Sequence, residues 1–155
     1  MTSVNIYLTF DGNCREAFEF YKSVFGGEFS SVSTFGEMPP QKDAKPLPDA
    51  EKNRIMHISL PISKETALMG SDTGGEWALS FKQGNNFSIS VNADTKEDAD
   101  RIYNALSSGG QATMPMDNTF WGSYFGMLTD KFGINWMVSC DVTSEKNLQM
   151  EKEHS

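Results

Sequence analysis

Groups able to do chemistry near neutral pH are scarce in this chain. It has two histidines, His57 and His154, and the second stands in a polar C-terminal stretch. An imidazole can act as a general base. His57 has no carboxylate in sequence reach that would make it half of a dyad, and a structural histidine bonded to a loop is the competing reading. His57 is the best candidate for a catalytic residue. Cys14 and Cys140 are far apart and form no CxxC, which argues against a cysteine-rich zinc site and a disulfide framework. Cys14 lies where a helix is expected to begin, a place that stabilises a thiolate; a small packed residue is the preferred reading.

Lys and Arg number 13 against 21 Asp and Glu, a net charge of −8. Without a basic block, nucleic acid and anionic membranes are poor partners. No run of eighteen apolar residues predicts a spanning helix. The start, MTSVNIYLTFDG, lacks a basic region followed by a long apolar one, so no signal peptide is expected and the cytoplasm is the expected address.

The elements that must position these groups follow from periodicity. Residues 3–10 alternate in steps of two and read as a strand. Asp11-Gly12-Asn13 signals a turn. Cys14, Ala17, Phe18, Tyr21 and Phe25 then share one helical face, and Gly26-Gly27 supplies the stop. Residues 29–34 are β-prone. Residues 36–52, with Pro39, Pro40, Pro46 and Pro48, read as a long exposed loop. Strands are expected at 55–60 and 66–71, then a linker at 72–85 with some order around Trp77-Ala78-Leu79.

The first pattern then recurs. Residues 86–91 alternate, Thr95 and Asp98 form a capping-box-like helix start, and Ala99, Ile102, Tyr103 and Leu106 make an apolar stripe ending at Gly109-Gly110. Strands follow at 112–114, 123–128 and 135–140. After Val142 the chain is polar and expected to fray, with a short helix around 145–152. Tyr21 and Tyr103 are 82 residues apart, and the glycine pairs 83 apart. The chain thus reads as one domain over 1–142 built from two βαβββ units, module one about 3–71 and module two about 86–141, followed by a tail at 142–155.

Several blocks in this order resemble a known family. They are Tyr7-Leu8-Thr9-Phe10-Asp11-Gly12, Glu16-Ala17-Phe18-Glu19-Phe20-Tyr21, Val24-Phe25-Gly26-Gly27, Met56-His57-Ile58, Leu68-Met69-Gly70-Ser71-Asp72, Phe120-Trp121-Gly122 and the run from Asp130 to Trp136. Together they resemble PhnB-like proteins of the glyoxalase/bleomycin resistance/dioxygenase (vicinal oxygen chelate) superfamily. The resemblance implies an α+β fold of two βαβββ modules forming a cupped, barrel-like mixed sheet around a small-molecule site. It also implies a homodimer. Some members of this branch carry the description of a demethylubiquinone methyltransferase, but this chain has no glycine-rich nucleotide loop that would suit a methyl donor.

Metal enzymes of this superfamily take ligands from the first and last strand of each module. By that resemblance the positions fall at Asn5, Met69, Asn86 and Met137, none of them His, Asp or Glu. Amides and thioethers are weak donors for a divalent ion. The expectation is no metal and no cofactor; a weak site would need His57 with Asp72 or Asp130. Alternation places Ile6, Leu8, Phe10, Phe87, Ile89, Val91, Trp136, Val138 and Cys140 towards the core. It places Asn5, Tyr7, Thr9, His57, Asn86, Ser88, Ser90, Met137 and Ser139 on the cup face. Trp121, Tyr124 and Phe125 either line a ligand stack or fill the core, and core is preferred. Met38, Met114 and Met116, read as loop residues, either wrap a hydrophobic ligand or fill gaps.

The expected ligand-binding set is Asn5, Tyr7, His57, Met69, Asn86, Ser88, Trp121 and Met137. The function read from it is small-molecule binding without the usual catalytic metal. The alternative is a lyase-, isomerase- or dioxygenase-type enzyme acting on a small organic substrate.

Overall fold

The computed structural model describes residues 2–37, 48–74 and 79–141. The chain divides into two compact units, Met1–Lys82 and Gln83–Ser155. The first runs β1 (Ile6–Phe10), α1 (Cys14–Phe25), β2 (Ser31–Thr34), a 3-10 turn (Phe35–Glu37), α2 (Asp49–Lys52), β3 (Ile55–Pro61) and β4 (Ala67–Asp72). The second runs β5 (Ile89–Ala93), α3 (Lys96–Ser107), β6 (Gln111–Asn118), β7 (Ser123–Thr129) and β8 (Asn135–Asp141). Each unit folds its own four-stranded sheet, in the orders β1-β4-β3-β2 and β5-β8-β7-β6. In both, the first strand pairs in parallel with the last, and the other pairings are antiparallel. The βαβββ pattern is thus present twice, with one topology.

Each unit buries one sheet face under its long helix. Cys14, Ala17, Phe18, Tyr21 and Val24 of α1 are buried, so Val24 takes the place that the stripe gave to Phe25. They meet Leu8, Phe10, Ile58, Leu60 and Leu68, all buried. Phe18 packs edge-on against Phe10 and Tyr21, with ring centres 6.2 and 5.7 Å apart. A β-carbon at Gly70 would lie 2.7 Å from the Leu8 carbonyl oxygen and 2.7 Å from Phe18 Cε2. A bare glycine is what lets helix and sheet approach this closely. In the second unit Ala99, Ile102, Tyr103 and Leu106 of α3 are buried, as are Leu128, Trp136, Val138 and Cys140. Thr95 Oγ1 accepts the Asp98 amide at 3.0 Å, which caps α3.

One buried carboxylate ties the first unit together. Asp72, 4% exposed, accepts the amides of Gly12 and Cys14 on Oδ1, each at 2.9 Å, and that of Ile55 on Oδ2 at 2.8 Å. The end of β4 therefore fastens both the β1–α1 turn and the start of β3.

The structure corrects several expectations. The strand expected over 86–91 begins only at Ile89 and runs to Ala93. Gly84, Asn85 and Asn86 precede it, residue types depleted in strands. Phe87, expected in the core, is consequently outside β5 and half exposed. β6 continues to Asn118, so Met114 and Met116 are strand residues and not loop residues. It contains Pro115, tolerated because β6 is an edge strand with register shifts around it. One helical turn, α2, lies within the expected loop. Met38, Gly75, Trp77, Ala78, His154 and the tail from Val142, with its expected helix, lie outside the described residues.

Candidate functional site

Alternation leaves each sheet with a second face that its own helix does not cover. In the first unit the register sets Tyr7 beside Met69, and Met69 beside Ser59, and Ser59 beside Ser31. The neighbouring rung carries Thr9 beside Ser71, and Ser33 beside His57. Tyr7 is on β1 and His57 on β3, with β4 between them. Strands lie about 4.8 Å apart, so the two side chains must lean over β4 to meet. They do: the rings stack at 5.9 Å between centres with 26° between planes. Tyr7 is half exposed and His57 partly buried.

His57 reaches this face by ordinary alternation with Ser59, and a bulge follows directly beyond it at Met56. The register of β2 against β3 shifts between Ser33 and Thr34, so Ile55 and Ile58 are both buried although three residues apart. These two rungs contain no Asp, Glu, Lys or Arg, and His57 is their one imidazole. Among the described residues no acidic side chain pairs with His57.

Asn5 stands just before β1. Its Oδ1 accepts the Ala67 amide at 3.2 Å, extending the β1–β4 ladder by one bond. In the second unit Ser90 lies beside Met137, Met137 beside Met127, and Met127 beside Met114. The next rung reads Asn92, Ser139, Phe125 and Asp117. Asn86 and Ser88 precede β5 and are exposed. The parallel partner of Met137 is thus Ser90, not Asn86.

Trp121 is not a core residue. It sits in the β6–β7 turn, 62% exposed. Tyr124 points to the helix side, donating to Asp100 Oδ1 at 2.6 Å. That bond, then desolvation, push its phenol up to about 12. Cys14 is fully buried, and desolvation followed by the charge of Asp72 pushes its thiol far up, which fits packing and not reactivity.

A divalent ion of the kind the superfamily binds does not fit these donors. The parallel rungs offer the Tyr7 phenol, the Ser90 hydroxyl and the Met69 and Met137 thioethers. Asp72 cannot assist His57, because it is buried on the helix side of the sheet with its three amides. Asp130, 3% exposed, accepts the Phe132 and Ile134 amides and the Trp136 indole N–H. Among the described residues no three His, Cys, Asp or Glu side chains converge.

Residues 2–139 match the profile of a family described as 3-demethylubiquinone-9 3-methyltransferase. The chain belongs to that family. The Protein YjdN of Escherichia coli K12 is 31% identical over 138 residues, covering 86% of this chain and 91% of that protein. A Pseudomonas aeruginosa structure is similar at 39% identity, with a TM-score of 0.76, covering 91% of this chain and 98% of that one. The PhnB protein of Bacillus cereus aligns at 25% identity and a TM-score of 0.68, covering 90% and 99%. A glyoxalase/bleomycin resistance/dioxygenase family protein of Burkholderia phytofirmans, 18% identical with a TM-score of 0.54 over 90% and 96%, shares the fold.

The chain is therefore PhnB-like and has the glyoxalase/bleomycin resistance fold. The methyltransferase in the family's description finds little support in the first strand–helix turn of this member. Free amides at such a turn are what bind phosphates and nucleotides. Here the Gly12 and Cys14 amides are bonded to Asp72.

Alternation alone makes Ser59 a face residue, two positions beyond His57. Asn92 and Asp117 needed the true extents of β5 and β6, which the asparagine run and Pro115 disguise.

Proposed function

We propose that this PhnB-like chain is a small-molecule-binding protein of the cytoplasm, holding a neutral organic ligand without a catalytic metal. The observation that carries the reading is the stacked Tyr7–His57 pair on an otherwise uncharged face. Two rings offer a flat apolar contact, while the phenol, the imidazole and the hydroxyl of Ser71 supply directed hydrogen bonds. A few such groups on an apolar surface fix the orientation of a small ligand. Met69 lies between the rings' strands as an adaptable contact. In the second unit Ser90 and Met137 make the equivalent parallel rung. Of the remaining expected ligand contacts, Asn5 is engaged by the ladder, while Asn86 and Ser88 flank β5.

The enzyme alternative would use His57 as a base. With no acid among the described residues to orient it or take up charge, the imidazole serves here as a hydrogen-bonding ring. We further propose a homodimer, since each sheet ends in edge strands that pairing can cover.

A panel of neutral heteroaromatic fragments at about 1 mM, read by melting temperature, tests the binding reading. Hits should stabilise the native protein and be lost in both Tyr7→Ala and His57→Ala, with both variants still folded. Hits that survive both substitutions, or a panel with none, would refute it. Light scattering that finds only 17.2 kDa particles would remove the dimer.

A further inference from the structure

The turn joining β6 to β7 carries residues that its geometry does not ask for. Gly122 donates to the Thr119 carbonyl at 3.2 Å, so Phe120 and Trp121 are the two central residues of a tight turn. Small polar residues usually stand there, because central side chains point to solvent. Phe120 is accordingly 98% exposed and Trp121 62%. The turn is held firmly. The Thr119 amide and hydroxyl both donate to the Ser123 carbonyl, at 2.7 and 2.9 Å, and the Ser123 amide donates back to Thr119 Oγ1 at 3.1 Å. Gly122 takes a φ of +89°, a conformation that glycine adopts without strain.

The rings make a continuous surface. Phe120 meets Trp121 edge-on at 4.9 Å, and Trp121 meets Phe125 at 6.3 Å. Beside them is a concavity of about 460 Å³, lined among others by Met114, Pro115, Asp117, Phe120, Trp121 and Phe125. That volume is in the range of small-molecule sites. Among the described residues, Asp117 is the one acidic or basic side chain in its wall. It stands directly across from Phe125 in the ladder, so their β-carbons are about 5 Å apart. Its Oδ1 accepts the adjoining Asn118 amide at 2.8 Å. Among the described residues no lysine or arginine pairs with it. The lysines that sit over rings choose Phe29, Tyr124 and Phe132, and among the described residues none covers Phe120 or Trp121.

We propose that this hairpin concavity binds a planar aromatic cation, stacked against Trp121 and Phe120 with its charge facing Asp117. Tryptophan is the side chain whose ring face attracts a cation best. A carboxylate beside it favours a positive ligand over a neutral one of equal shape. The chain's net charge of −8 draws cations towards it and repels anions. The lining residues all belong to the second unit and include neither Tyr7 nor His57, so the proposal is tested separately from the function proposed above.

Calorimetric titration of the full chain with N-methylquinolinium, quinoline at mildly alkaline pH and naphthalene-1-sulfonate gives the test. These share a bicyclic ring and differ in charge. The cation should bind one to one, about tenfold more tightly than neutral quinoline, and the sulfonate not at all. Trp121→Ala should abolish binding. Asp117→Asn keeps an acceptor for the Asn118 amide and is exposed, so it should fold and lose only the preference for the cation. His57→Ala should bind the cation as before.

Equal affinity for cation and quinoline would overturn the proposal, as would no binding of the cation, or a preference that survives Asp117→Asn. Loss of binding in His57→Ala would also overturn it, by moving the probe to the other face. So would sedimentation showing that the chain self-associates and that Trp121→Ala makes it monomeric, since the turn would then be a contact between copies.

Discussion

Asp130 Oδ2 accepts the indole N–H of Trp136 at 2.8 Å, and both residues are all but inaccessible to solvent. The other oxygen of the carboxylate takes the Phe132 and Ile134 amides at 2.8 and 3.1 Å. One side chain thus closes the β7–β8 turn and anchors the largest ring of the second core. Asp130→Ala should cost about 3 kcal/mol, because buried donors lose their acceptor together. Urea denaturation followed by tryptophan emission measures it; a loss below about 1 kcal/mol would show that water replaces the carboxylate.

Gly70→Ala tests the close approach of α1 to β4. The added methyl would press on backbone at Leu8, which cannot swing aside, and on the Phe18 ring. A destabilisation of about 1–3 kcal/mol is expected, read as a lower urea midpoint with an unchanged slope. Unaltered stability would mean that the helix can move outward freely.

Tyr124 predicts a pH dependence. Its phenol is raised from 10.0 to about 12, first by the hydrogen bond to Asp100. The folded chain keeps this proton after the unfolded chain has released it. The contribution is therefore full below pH 10 and is lost as pH rises to about 12. Stability should fall across that window in the native protein, and less so in Asp100→Asn. Ultraviolet absorbance titration of native protein against Tyr124→Phe should show one tyrosine ionising near 12. Ionisation near 10 would contradict the bond.

The donor set predicts indifference to divalent metals. Ni²⁺, Zn²⁺ or Mn²⁺ at about 100 µM should barely raise the melting temperature, because stabilisation follows RT ln(1 + [L]/Kd). His57→Ala should respond identically. A rise of several degrees that the substitution abolishes would show that His57 has found ligands which the described residues do not supply.

Much of this fold was legible in the sequence because period and punctuation agree there. The helix from Cys14 to Phe25 has an apolar stripe and a glycine stop, and α3 has its Thr95 cap. The sheet faces were harder to read. A bulge puts Ile55 and Ile58 on one side, which strict alternation forbids, yet His57 still emerges beside Tyr7. The roles of Asp72 and Asp130 were hidden for another reason. Adjacent to turns, they look like solvated acids, and only tertiary structure brings amides 58 and 60 residues away onto Asp72. Trp121 resembles a core residue by type; its exposure follows from the turn around it.

Pro115 has a consequence at the rim of the second sheet. β6 is an edge, and an edge with a full row of amides invites another chain to join as a fifth strand. Proline has no amide hydrogen to offer, and the register skips from Met114 to Asp117 around it. An incoming strand would lose a bond in the middle of the ladder and meet a twisted backbone on either side. Strand addition is thereby discouraged at β6, so any β-type association or aggregation of this unit should start from the opposite edge, β5, which has no such guard.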